Sequence, residues 1–322
     1  MRLNIIIIIV CFFFSYSKAQ KINDYYQIVN QAEIDISNSE WKNSLDNYKT
    51  LYKTLGLSFV KDYHNAILCS IKIDSIDFAV QLALNMLSSE RVDISYFQNP
   101  NFVAITKNPL WKLNSTQKLN KSRKKLKMEM INRYKLDQDV QDKNRGKTFM
   151  LNAQWIKQLA STDTFSNFKN IRIGEIDNQI NIMLLHWAEK DKKDTIGLLP
   201  SLYFLIQKKL LHPSTLASLP LDSLKGKFSK ITNFAYIVVG DSVLAPIFTT
   251  QEIQTLDSNR LNLGLHRFSD YQKIARFEVF NPEFMLYQLC YFKMKNSNLI
   301  THFKINGYKV LGDKKTILNI KD

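Results

Sequence analysis

The chain has 322 residues, 45% of them hydrophobic, with 44 Lys and Arg against 29 Asp and Glu, a net charge of +15. That length and apolar content suit two packed domains of ordinary size, and only nine glycines argue against any phosphate-cradling loop. Lys far exceeds Arg, and the chain is rich in Asn, Ile, Phe and Tyr, so the charge is assigned to AT-rich codon usage and solubility rather than to nucleic-acid reading, which leans on Arg forks.

Met1, Arg2, Leu3 and Asn4 make a short charged start, Ile5 to Phe14 is an unbroken apolar run, and Ser15 to Ala19 turn small and polar. This is the pattern of a secretory signal peptide, with cleavage expected after Ala19 of Ser17-Lys18-Ala19. A bilayer span needs about 20 apolar residues. The opening run is shorter, and the next candidate, Leu198 to Leu211, is interrupted by Gln207, Lys208 and Lys209. Cys11 follows Ile9 and Val10 rather than small residues, so no lipid anchor is expected. The expected setting is the periplasm or the cell exterior, with Cys69 and Cys290 left in the mature chain. Both sit in apolar segments and are expected as separate buried thiols, although the compartment permits a bridge.

From residue 21 to about 91 the apolar residues recur at three- and four-residue steps. Tyr25, Ile28, Val29, Ala32 and Ile36 make one stripe. Trp41, Ser44, Leu45, Tyr48, Leu51 and Tyr52 make a second. Phe59, Tyr63, Ala66, Ile67 and Ile71 make a third, and Ile76, Ala79, Leu82, Ala83 and Met86 a fourth. Breaks at Ser37-Asn38-Ser39, Gly56 and Asp74-Ser75 predict four helices stacked as two hairpins. The segment Ser39-Glu40-Trp41-x-x-Ser44-Leu45-x-x-Tyr48, with Ala32 on the preceding helix, resembles the tetratricopeptide repeat, and Asp74-Ser75-Ile76-x-x-Ala79 repeats it in part. Two units are fewer than a free-standing array needs, so Phe97, Phe102, Ile105, Pro109, Leu110 and Trp111 are expected to cap them.

Residues 116–135 read as a basic connecting helix. Lys118, Lys121, Arg123, Lys124, Lys125 and Lys127 form its wet face, and Leu119, Leu126, Met130 and Tyr134 its apolar stripe. Attraction to anionic cell-surface polymers is the alternative reading of that charge. Beyond it, Phe149 to Leu159, Ile176 to Trp187 and Leu198 to Leu211 read as helices. The period then changes. Phe234 to Val239, Gly240-Asp241 and Ser242 to Leu244 read as one hairpin, and Ile300 to Ile305, Asn306-Gly307 and Tyr308 to Leu311 as a second. The predicted fold is mainly α: a signal peptide over 1–19, tetratricopeptide-like α-hairpins over 20–115, the connecting helix over 116–135, and an α+β domain with two β-hairpins over 136–322.

Several rear motifs follow one another in an order similar to a bacterial domain family of unknown function. They are Asp137-Gln138, Leu185-His186-Trp187-Ala188-Glu189, Leu221-Asp222-Ser223, Tyr236-Ile237-Val238 and Asn259-Arg260-Leu261-Asn262-Leu263-Gly264-Leu265. Secreted proteins that pair a repeat-like front with such a rear resemble ones from Bacteroidota. The resemblance implies a polar set of Asp137, Gln138, His186, Asp222, Tyr236 and Arg260. Gln141 and Ser223 stand where the family's first and third motifs carry arginine, and Ile237 and Val238 replace its Gly-Thr pair.

Two functions remain open. One is a non-catalytic exported protein that binds a protein or peptide through its helical-repeat surfaces. The other is a hydrolase-like or transferase-like enzyme using the six-residue set for acid–base chemistry. His64, His186, His212, His266 and His302 share no metal-ligand spacing, and no nucleophile elbow, phosphate loop or dinucleotide fingerprint occurs. No cofactor, metal or nucleic-acid partner is expected.

Overall fold

The structure is a computed structural model that describes residues 24–89, 91–115, 121–139, 142–161, 183–184, 186, 192–209, 211–218, 237–239, 242–286, 293–294 and 308–313. Over these residues the chain is mainly helical. The expected signal peptide, Cys290, Asp222, Tyr236 and the arm and turn 300–307 of the second expected hairpin lie outside them.

The front is four helices: residues 24–37 (α1), Trp41–Thr54 (α2), Val60–Lys72 (α3) and Ile76–Ser88 (α4). They form two hairpins offset by 35 residues. Ser39 closes α1 with φ 63°, and Asp74 closes α3 with φ 57°. In each turn the amide of the next residue reaches back five positions, Glu40 N–H to Asp35 C=O and Ser75 N–H to Ser70 C=O, both at 2.8 Å. These bonds satisfy helix-end carbonyls that would otherwise be orphaned. Small residues then let the helices approach. Ala32, Ser44, Ala79 and Ala83 are all fully buried, beside Tyr48, Leu45 and Leu82.

The expected cap follows. Two 3-10 turns, Val103–Lys107 (α5) and Pro109–Asn114 (α6) bury Phe97, Phe102, Ile105 and Trp111, with Phe97 and Trp111 ring centroids 4.7 Å apart. Pro109 and Leu110 differ from expectation: both are exposed. Asn108 takes the N-cap of α6, accepting from Leu110 N–H, so Pro109 begins the helix and Trp111 rather than Leu110 faces the core.

Lys121–Asp139 (α7) runs past the boundary expected at residue 135 and pairs with Asp142–Ser161 (α8). Lys192–Gln207 (α9), Ser214–Ser218 (α10), Thr250–Asn262 (α11) and Phe268–Phe280 (α12) complete the described helices. Thr249 and Glu252 form a reciprocal capping box that starts α11. Ile237–Val239 (β1) pairs antiparallel with Ser242–Pro246 (β2), and Lys293–Met294 (β3) lies parallel to β1. Tyr308–Asp313 (β4) lies antiparallel to β2, giving the order β3-β1-β2-β4.

Front and rear share one core, which runs from Tyr25 through Trp111, Ile156 and Leu202 to Leu286. The stretch from Leu263 to Leu286 is responsible for much of this. It lies along the face shared by α1 and α3, so that every α3 residue from Val60 to Ser70 is buried. Gly264 is held at φ 77° against the Tyr26 ring, and a Cβ there would come within 2.7 Å of it. Only glycine permits both the backbone angle and the approach.

Candidate functional site

Two places concentrate polar side chains. The first is built by α7 and α8. Their antiparallel pairing sets Asp137 opposite Asn152, and Arg133 over the Trp155 ring at 4.8 Å. Asp137 is buried, and three side chains donate to it: His186 through Nδ1 at 2.6 Å, Asn152 at 3.1 Å and Gln138 at 3.2 Å. His186 keeps 29% of its side chain exposed and stacks on Phe149, with centroids 5.1 Å apart. The Asp137 carboxylate accepts, so Nδ1 is the ring nitrogen that donates to it and fixes the ring's orientation. Such a ring is oriented and partly open.

Asp137, Gln138 and His186 are therefore brought together by direct hydrogen bonds. Arg260 has a different setting on α11. It is fully buried, its Nε donates to the His266 carbonyl at 2.8 Å, and its guanidinium covers the Tyr271 ring at 4.6 Å. That environment ties the turn after α11 to α12.

The second place is the face where α1 and α3 meet the rear. Lys61, Glu33 and Asp62 are each at most 2% exposed, and Lys61 Nζ donates to both carboxylates. Tyr25 Oη donates to Asp62 and accepts from Ser58 N–H. His266 Nε2 lies 3.2 Å from Glu33, an ion-pair distance without hydrogen-bond alignment. Burial alone would push the Lys61 ammonium down, but Asp62 and Glu33 together hold it above the usual lysine range. His212 stands nearby, its pKa pushed well below the ordinary value by burial and then by the charges of Lys61 and His266.

Farther along α3, His64 and Asn65 meet the segment 281–286. Asn65 donates to the Met285 carbonyl and accepts from the Met285 amide, both at 2.9 Å. His64 Nε2 donates to the Glu283 carbonyl at 2.6 Å, while Nδ1 faces Tyr96 Oη at 2.6 Å. Burial pushes the His64 pKa down to about 4. Phe284 stacks on Trp41 with centroids 5.3 Å apart and planes at 3°. One repeat earlier, Asn30 donates to the Gly264 carbonyl at 3.2 Å. Asn30 and Asn65 thus occupy equivalent positions, 35 residues apart, and both bind main-chain carbonyls of the rear.

Sequence reasoning missed this second place. The signals were present: an Asn recurring at the repeat spacing, and a Lys-Asp pair inside an apolar helix. Cys69 is a free buried thiol that donates to Ser44, its pKa pushed up to about 12 by burial. Among the described residues no cluster of three or more His, Cys, Asp or Glu is arranged to hold a metal, and no helix is long and apolar enough to cross a membrane. No family model, curated protein or solved structure matches this chain.

Proposed function

We propose that the protein is an exported, non-catalytic interaction protein that binds a protein or peptide through its helical-repeat surface. The observation that carries this reading is the repeated amide: Asn30 and Asn65, one 35-residue unit apart, each bind backbone of a passing segment. The Asn65 amide both donates to and accepts from the backbone of one residue, and so reads chain direction and register without demanding a particular side chain. In this reading the front hairpins are tetratricopeptide-like. The rear is an α+β domain, its two hairpins built around the strands over 237–246 and 308–313, and it supports the groove. Export to the periplasm or cell exterior places the partner there. The test is capture by the full chain from secreted and envelope fractions, followed by titration with the purified partner. Binding is expected to weaken at least ten-fold in Asn65→Ala and to be unchanged in His186→Ala. The opposite pattern sinks the proposal.

A second reading, the hydrolase-like or transferase-like enzyme, is favoured by the Asp137–His186 pair. A buried carboxylate that orients a partly exposed imidazole fits general base work. Its set comprises Asp137, Gln138, His186, Asp222, Tyr236 and Arg260, and the full burial of Arg260 favours a structural part for that residue. Turnover of ester or phosphoester substrates that vanishes in both Asp137→Asn and His186→Asn supports the enzyme. Turnover that survives both substitutions excludes it.

A further inference from the structure

We infer that segment 281–286 is a built-in occupant of the groove beside α3, and that the partner is a peptide of the same chemistry that displaces it. This rests on the interaction-protein reading above. The segment follows α12 and belongs to no helix or strand. Its backbone links to the front are the Glu283 carbonyl on His64 and both backbone groups of Met285 on Asn65. All three are contacts to main chain, which any peptide carries.

Two side chains add the preference. Phe284 fills the space over Trp41 and beside Phe277, with centroids 5.3 and 5.9 Å away. Met285 Sδ lies 3.6 Å from Tyr96 Oη. The groove therefore takes an aromatic residue followed by a flexible apolar one, with the backbone N–H and C=O of the second residue held by Asn65. Residues 282–284 form a turn and bend, and Phe284 N–H donates to the Asn281 carbonyl at 3.1 Å. The bound form is a short irregular peptide and not an added strand.

The tether decides the competition. A segment joined to its site by the same chain acts at an effective concentration of roughly millimolar order. A free hexapeptide at micromolar concentration loses to it. A partner succeeds by presenting a better-fitting aromatic pair, or by engaging additional surface. Displacement requires a local opening that withdraws Phe284 and Leu286 from the shared core, with no helix or ladder holding the backbone between them.

The experiment uses the full chain and a fluorescent, end-capped peptide of sequence Asn-Pro-Glu-Phe-Met-Leu. Wild type is expected to bind it at least ten-fold more weakly than Phe284→Ala, which empties the aromatic site. Adding Asn65→Ala to Phe284→Ala is expected to abolish the gain, and a scrambled peptide to bind neither. A folded Phe284→Ala chain that ignores the peptide overturns the inference. So does a Phe284→Ala chain that becomes a dimer sensitive to Asn65→Ala, because the groove then belongs to a second copy.

Wild-type hydrogen exchange gives a readout that needs no variant. The Met285 amide is expected to exchange at least 100-fold faster than the Ile67 and Leu68 amides. Equal rates mean that the segment opens only when the whole core does, and they overturn displacement. The two levels of the account fail separately. A folded Phe284→Ala chain that ignores the peptide sinks displacement and leaves Asn65-dependent binding of a natural partner standing, while peptide binding without any natural partner sinks only the functional reading.

Discussion

His64 and His186 stand in contrasting regions of one molecule. His64 is buried, with both ring nitrogens engaged by Tyr96 and the Glu283 carbonyl. His186 is anchored at Nδ1 by Asp137 and leaves the rest of its ring partly open. The α1–α3 face spends its polar groups on binding its own chain, through Lys61 between two carboxylates and Asn65 on the Met285 backbone. The α7–α8 site spends its polar groups on holding one imidazole. The difference teaches that a polar cluster is read by where its unused valences point. In the first region nearly all are matched inside the fold, and in the second the anchored ring stays partly exposed.

Substitutions break the comparison first at Lys61. Lys61→Met leaves Glu33 and Asp62 buried without their cation, and the expected cost is about 3–5 kcal/mol in urea unfolding. Removing the exposed partner of the other site is milder. His186→Ala is expected to cost about 1–2 kcal/mol, because buried Asp137 loses one donor and keeps Asn152 and Gln138. Equal costs for the two would erase the distinction.

Acid sharpens the contrast. His64 has a folded pKa of about 4, below its ordinary 6.5, so the folded state binds fewer protons than the unfolded one between those values. Its stabilising effect is complete above pH 6.5 and is lost as pH falls towards 4, a change of order 3 kcal/mol. Denaturant melts at pH 7.5 and 4.5 read it, and stability that stays flat across the window contradicts the burial of His64. Asn65→Ala leaves the Met285 amide and carbonyl without partners, at an expected ~1–3 kcal/mol. The smallest effect runs the other way. Ser39 and Asp74 sit in the left-handed region, where glycine is unstrained, so Ser39→Gly and Asp74→Gly are each expected to raise stability by about 0.5–1 kcal/mol.

The front was legible because its helices announce themselves by period. Tyr25, Val29, Ala32 and Ile36 all lie in the core, and the breaks at Ser39 and Asp74 are true turns. The Asp137–His186 contact spans 49 residues, and no local pattern encodes it; only the motif order placed the two in one set. The groove was least legible. Asn65 and Met285 are 220 residues apart, and neither differs locally from any other helical Asn or loop Met. The repeat of Asn30 at Asn65 was a visible clue, but its meaning needed the rear segment in place. The start of α11 is the converse case, since the Thr249–Glu252 capping box stands openly in the sequence.

The central claim is that the rear of the chain lies in the groove of the front, with Phe284 flat on Trp41. Nuclear Overhauser contacts between selectively labelled Trp and Phe rings of the full chain test it most directly. Cross-peaks joining the Trp41 indole to the Phe284 ring, with Phe284 resonances shifted upfield and lost in Phe284→Leu, are the predicted result. A Trp41 indole that shows no contact with Phe284 in the folded wild-type chain contradicts the account.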